Sequence, residues 1–280
     1  MGLQPKEPHM RFAINPATTM PYDFETDLAA YRKAGFRHLE LWLDKLEKYL
    51  QCHELAEARD LLQKRELEPV GACCAVELML EDVTTRPPRL AAFKRKLELC
   101  RKLDCPTLVI VPDFPQRSDP RAYGAVERNL TTAARIAADF DVKLALEFIQ
   151  GNKLIATLAT AKEIVRAVRH PNLGLLLDLF HFWMDRSHAE EIDDLQPGEL
   201  LLVHLNETRS GPPECMAGDE DRVFPGQGRG NVAEMVRRIQ ATGYDGFWSL
   251  ELFDRTVWTW PIDRILSAAR ESLAKVEALR

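Results

Sequence analysis

Strand-like and helix-like stretches alternate eight times along the 280 residues, and that alternation limits the fold more than any other feature. Short aliphatic runs at residues 11–15, 37–43, 69–76, 107–111, 142–148, 173–178, 200–206 and 247–252 read as strands. Between them lie longer segments with apolar residues at helical spacing, such as Leu90, Phe93, Leu97 and Cys100. Asp119-Pro120 and Thr85 ahead of Pro87 pair a capping side chain with a proline suited to a first helical turn, and Trp260-Pro261 opens the last helix similarly. Ala34-Gly35-Phe36 and Thr242-Gly243-Tyr244 each end a helix on glycine and enter a strand on an aromatic. Eight strand–helix units in series predict an α/β fold, a single-domain (β/α)8 TIM barrel over residues 10–280, preceded by a mobile polar extension at residues 1–9. An open doubly wound sheet is the competing topology, disfavoured because no GxGxxG follows the first strand.

Charge and hydropathy narrow the partners. A net charge of −6, without a basic run interleaved with aromatics, argues against a nucleic-acid partner. No apolar run approaches the roughly 20 residues needed to cross a bilayer. The first nine residues lack the apolar core of a signal peptide, so no membrane partner and a cytoplasmic location are expected. The six cysteines (Cys52, Cys73, Cys74, Cys100, Cys105 and Cys215) form no CxxC and read as reduced thiols. Two connections are unusually long, residues 180–188 and 207–230; both follow strands and should lie at the C-terminal mouth of a barrel, where active sites sit.

The last four strands each carry a metal-competent side chain near their end: Glu147 in LALEF, Asp178 in LLLD, His204 in LVHL and Glu251 in SLEL. Side chains alternate along a strand, so if these four face the lumen, Leu144, Leu146, Phe148, Val203, Leu205, Leu250 and Leu252 face the covering helices. Two carboxylates ~4 Å apart repel by about 4 kcal/mol at an effective dielectric near 20, and three together would take up protons unless a cation joined them. Three oxygen donors and one imidazole suit one divalent ion, Mn2+ first, with Mg2+, Co2+ or Zn2+ as alternatives. A closed structural zinc site would use cysteines instead. Glu40, at the end of the second strand, offers a carboxylate to a substrate hydroxyl, and Trp183, Trp258 and Trp260 offer ring faces to wall a pocket.

The stretches ALEF, GLLLDLFHF, VHLNET, DEDRVFPGQG and WSLELF resemble the motifs of the xylose isomerase-like TIM barrels, the sugar phosphate isomerase/epimerase superfamily. INPATT and DKLEKYL extend the likeness to the start of the barrel and turn it toward the inosose (2-keto-myo-inositol) isomerases of inositol catabolism. The resemblance implies that Glu147, Asp178, His204 and Glu251 bind the metal and that Glu147 and Glu251 double as the acid/base pair. It also implies that His181, in DLFH, and Arg222, in DEDRVFPGQG, contact substrate. The implied reaction is isomerisation or epimerisation of an α-hydroxyketone, a small polyol ketone or ketose, by proton transfer through an enediolate. Three alternatives stay open. A dehydratase of an inosose or dehydroshikimate-like substrate would use the same groups. An endonuclease IV-like repair enzyme would need further histidines on the early strands, which the positions near Glu40, Glu77 and Val111 do not supply. A non-catalytic sugar-binding barrel would leave the ligand quartet without purpose. Relatives often pair through barrel faces, which leaves a homo-oligomer open.

Overall fold

A computed structural model describes residues 10–74, 87–112, 120–152, 154–184, 187–211, 215–216 and 218–279. The expected extension at residues 1–9, Thr85, Glu77 and Asp119 lie outside the described residues. The strands are β1 (Arg11–Ile14), β2 (His38–Trp42), β3 (Glu68–Cys73), β4 (Thr107–Ile110), β5 (Lys143–Glu147), β6 (Leu173–Asp178), β7 (Leu200–Leu205), β8 (Glu207–Thr208), β9 (Arg222–Val223) and β10 (Phe247–Leu250). Eight of them pair in parallel as a closed barrel in the order β1-β10-β7-β6-β5-β4-β3-β2, with β1 bonded to both β10 and β2. The chain is therefore the expected (β/α)8 barrel, and each of the eight expected strands is present.

Helices cover the barrel: α1 (Phe24–Lys33), α2 (Leu43–Tyr49), α3 (Leu55–Lys64), α4 (Pro87–Lys102), α5 (Pro120–Ala138), α6 (Leu158–Val168), α7 (Leu179–Met184), α8 (Val232–Ala241) and α9 (Ile262–Glu277). Gly35 and Gly243, at φ +84° and +82°, turn the chain out of α1 and α8, as the αβ junctions required. None of the described helices is long and apolar enough to cross a membrane.

Alternation along the strands divides the core in two. Leu144, Leu146, Phe148, Val203, Leu205, Leu250 and Leu252 join the layer between sheet and helices. Cys73, Val109, Ala145, Leu176 and Leu202 form a separate apolar plug inside the barrel. Glu147, Asp178 and His204 each follow a plug residue by two positions on the same strand, so the plug is a dry floor beneath a polar upper layer.

Both long connections hold secondary structure among their described residues. Residues 180–188, read as a loop, begin inside α7, whose first four residues are buried. The run FHFW is too short and too apolar to display a helical period. The stretch 207–230 contains an antiparallel ribbon pairing Glu207 with Val223 and Thr208 with Arg222. Buried Glu207 accepts backbone N–H groups from Gly226 and Gly228 at 2.6 and 2.9 Å and so ties that turn to the ribbon.

Candidate metal centre and active site

Glu147 and Asp178 end β5 and β6, His204 is the penultimate residue of β7, and Glu251 follows β10 directly. Each offers one donor atom, and all four atoms lie within 4.8 Å of one another. All four residues are buried, none more than 6% exposed. Nδ1 of His204 stands 3.0 Å from Glu251 Oε2, 3.6 Å from Glu147 Oε1 and 3.7 Å from Asp178 Oδ2. Despite that company it makes no well-formed hydrogen bond. A cation bound at about 2.0–2.2 Å to each of several ligands spaces neighbouring donors by about 3.0–3.5 Å. The quartet is thus close to the spacing a shared divalent ion needs, and its orphaned nitrogen is a donor waiting for a Lewis acid.

Asp178 splits its work between its oxygens. Oδ1 accepts from the N–H groups of Phe180 (2.6 Å) and His181 (3.3 Å), capping α7, and from Asn206 Nδ2 (3.1 Å). Oδ2 faces the centre and accepts from Arg222 Nη2 at 2.7 Å. Burial alone would raise Asp178, but the charge of Arg222, helped by protonated His204, outweighs it and holds the carboxyl well below its usual range. Burial pushes Glu251 up to about 7 against the opposing pull of His204 and Arg222. Burial would make His204 a weaker base, yet Glu251 and Glu40 hold it protonated well above its ordinary range. These are the signs of a cluster short of positive charge.

Arg222 and His181 both reach this layer. Arg222 is 1% exposed, lies between the rings of Phe180 and Phe253 at 4.5 and 5.1 Å, and also donates to Asp219 at 2.5 Å. It is a fixed member of the centre, held by the β8–β9 ribbon. His181 Nε2 is 3.2 Å from Arg222 Nη2 and 3.9 Å from Glu147 Oε1. A guanidinium has only donors, so Nε2 accepts and the proton sits on Nδ1, a buried atom with no partner. Burial lowers this histidine, which keeps it neutral.

Two expected substrate contacts are placed elsewhere. Glu40 is fully buried and lies under His204, with Nε2 of that ring 3.2 Å from its Oε1, so it is turned toward the barrel floor and cannot meet a hydroxyl at the mouth. Trp183 stands two residues beyond His181, about 200° round the helix. It packs on the chain at Gly230, where a Cβ would come within 2.5 Å of its ring. Trp258 donates Nε1 to the carbonyl of Ala17 at 2.8 Å, and Trp260 lies under the Arg264 guanidinium at 3.9 Å; both brace the rim.

The wall is aromatic all the same. A cavity of about 280 Å3 opens above the centre, lined by Glu147, His204, Glu251, His181 and Arg222 together with Trp42, Val109, Ile149 and Phe253. Trp42 and Phe253 meet edge to face at 6.0 Å. Neither stood out in the sequence. Each follows a luminal acid by two residues, Glu40 and Glu251, and strand alternation carries that signal.

The model of the family described as xylose isomerase-like TIM barrel matches residues 28–278. The chain is similar to inosose isomerase of Halalkalibacterium halodurans, 29% identical over 95% of this chain and 96% of that one. It is similar to inosose isomerase of Bacillus subtilis, 27% identical over 95% and 98% of the two chains. A solved structure of the IOLI protein with a bound zinc atom superposes with a TM-score of 0.88 at 27% identity, covering 96% of this chain and 98% of that one.

Proposed function

The chain belongs to the xylose isomerase-like TIM barrel family, and from that premise we propose that it is a metal-dependent isomerase of a small α-hydroxyketone, 2-keto-myo-inositol first. It is an isomerase of the sugar class; the substrate, the metal and the residue roles are the proposed part. The observation that carries the reading is the convergence of four buried donors, three of which line one cavity. End-to-end likeness to two inosose isomerases supports the choice of substrate.

Glu147, Asp178, His204 and Glu251 would hold one divalent ion, Mn2+ by the oxygen-rich donor set, with the zinc of the related structure as its competitor. When bound there, such an ion supplies Lewis acidity toward a carbonyl and its neighbouring hydroxyl, which acidifies the C–H of the carbinol carbon. The chain's own groups do the rest. Glu147 and Glu251 exchange the proton: one takes it from the carbinol carbon, and it is returned to the former carbonyl carbon while the hydroxyl proton moves between the two oxygens. The carbonyl shifts by one carbon and mass is conserved. Arg222 and His181, which both line the cavity, would contact substrate oxygens. Trp42 and Phe253 offer apolar surface to the C–H face of a ring. All six cysteines are free, in keeping with a reducing cytoplasm.

Purified protein loaded with Mn2+ and given 2-keto-myo-inositol tests this by a proton NMR time course. A new ketone of equal mass is expected, and Glu147→Gln and Glu251→Gln should each abolish it with the fold intact. Loss of water would make the enzyme a dehydratase. Full turnover in either variant removes the proton-transfer role.

A further inference from the structure

We propose that Glu40 and Asn15 form a brace beneath the metal centre, in which Glu40 is a positioning residue that fixes the nitrogen of His204, and Asn15 the oxygen of Glu251, turned toward the ion. The inference rests on the metal-dependent reading above.

A fully buried carboxylate outside the quartet needs a reason to be there, because unpaired it is costly. Glu40 is saturated with donors. Nε2 of His204 stands 3.2 Å from Oε1 and 3.3 Å from Oε2. Asn15 Nδ2 reaches Oε1 at 3.0 Å, and the Cys73 thiol donates to Oε2 at 2.9 Å. Gly71, paired with Glu40 across β2 and β3, leaves the space: a Cβ there would come within 3.3 Å of Oε2. An imidazole ligates through the nitrogen without a proton. With a carboxylate under Nε2, the proton belongs there, and the lone pair is left on Nδ1, the atom that faces Glu147, Asp178 and Glu251.

Asn15 carries the same logic to Glu251. Its Oδ1 accepts the N–H of Ala17 at 2.9 Å, capping the 3-10 turn Pro16–Thr19, so the amide cannot turn over. Nδ2 is therefore committed to the lumen, where it bridges Glu40 Oε1 and Glu251 Oε1 at 3.0 Å each. Oε1 of Glu251 is held down, and Oε2 faces His204 and the cavity. β1, which contributes no ligand, thus sets the posture of one, and β2 sets that of another.

The test is zinc affinity, measured by competition with a chromophoric chelator, for the wild type, Glu40→Gln and Glu40→Asp, alongside the thermal midpoint of each metal-free protein. An orienting carboxylate of this kind is worth about 10- to 100-fold in metal affinity. We expect Glu40→Gln to lose that much and Glu40→Asp to recover part of it, because charge under Nε2 matters more than shape. Long-range 15N–1H spectra of the zinc-loaded wild type should show His204 protonated at Nε2. Unchanged affinity in Glu40→Gln overturns the brace, as does a loss in Glu40→Asp equal to that in Glu40→Gln. If Glu40→Gln does not fold, the wild-type spectrum decides: a proton on Nδ1 refutes the proposal. Zinc binding that is indifferent to residue 40 sinks the brace alone, whereas a wild type that takes up no zinc sinks the metal reading with it.

Discussion

Metal binding should release protons, and the number released should change across neutral pH. In the metal-free protein burial raises Glu251 to about 7, and Glu251 with Glu40 keeps His204 protonated well above its usual range. Both must give up their protons to ligate. At pH 8 Glu251 is already ionised, whereas at pH 6 it still has a proton to surrender. Each proton makes affinity change tenfold per pH unit, about 1.4 kcal/mol. The slope of log affinity against pH should therefore steepen by about one between pH 8 and pH 6, as Glu251 takes up its proton. The sign for stability follows. Both groups have folded values raised above their unfolded ones, so their contribution is complete in acid and is lost as pH climbs, for Glu251 through about 7. For Glu251 that loss is about 3 kcal/mol, taking a rise from 4.5 to about 7 at roughly 1.4 kcal/mol per unit. The ion replaces the protons, so the gap in thermal midpoint between loaded and metal-free protein should widen from pH 6 to pH 8. Calorimetric titration with Mn2+ in buffers of different ionisation enthalpy counts the protons directly. A pH-independent affinity, or no proton release at pH 6, would refute the shared-charge account of the centre.

Three further outcomes follow from the packing. Leu202→Ala empties part of the luminal floor under His204 and should cost about 2–5 kcal/mol in denaturant unfolding. Gly174→Ala puts a Cβ 2.8 Å from the Glu199 carbonyl and 2.6 Å from the Leu201 side chain, which should lower the thermal midpoint although the site itself is untouched. Titration with a disulfide reagent should modify exposed Cys52 and Cys215 quickly and leave Cys73, Cys74, Cys100 and Cys105 until unfolding, since burial, against the opposing pull of Lys96, lifts the Cys74 thiol to about 12. Rapid modification of all six would show that the barrel opens.

The barrel and its quartet were legible because both rest on short-range rules. Period-two alternation put Glu147, Asp178, His204 and Glu251 on one face of four successive strands, and parallel closure then makes that face a lumen. What could not be read depends on register around the ring. Asn15, Glu40 and Cys73 meet because β1, β2 and β3 bring residues 25 and 58 positions apart into contact, and nothing local in INPATT, HLELW or VGACC announces it. Glu40 was recognised as a luminal acid, but its depth decides its role: beneath His204 it meets protein donors and no ligand. Trp183 was misread for a similar reason. A six-residue helix in place of a loop rotates it away from His181 and onto Gly230.

The central claim is one ion shared by four side chains. Anomalous scattering from a crystal soaked in Mn2+ tests it in one measurement. One peak per chain is expected, within about 2.0–2.3 Å of donor atoms from Glu147, Asp178, His204 and Glu251 together. No peak there, or a peak that leaves any of the four outside its coordination, would contradict the account.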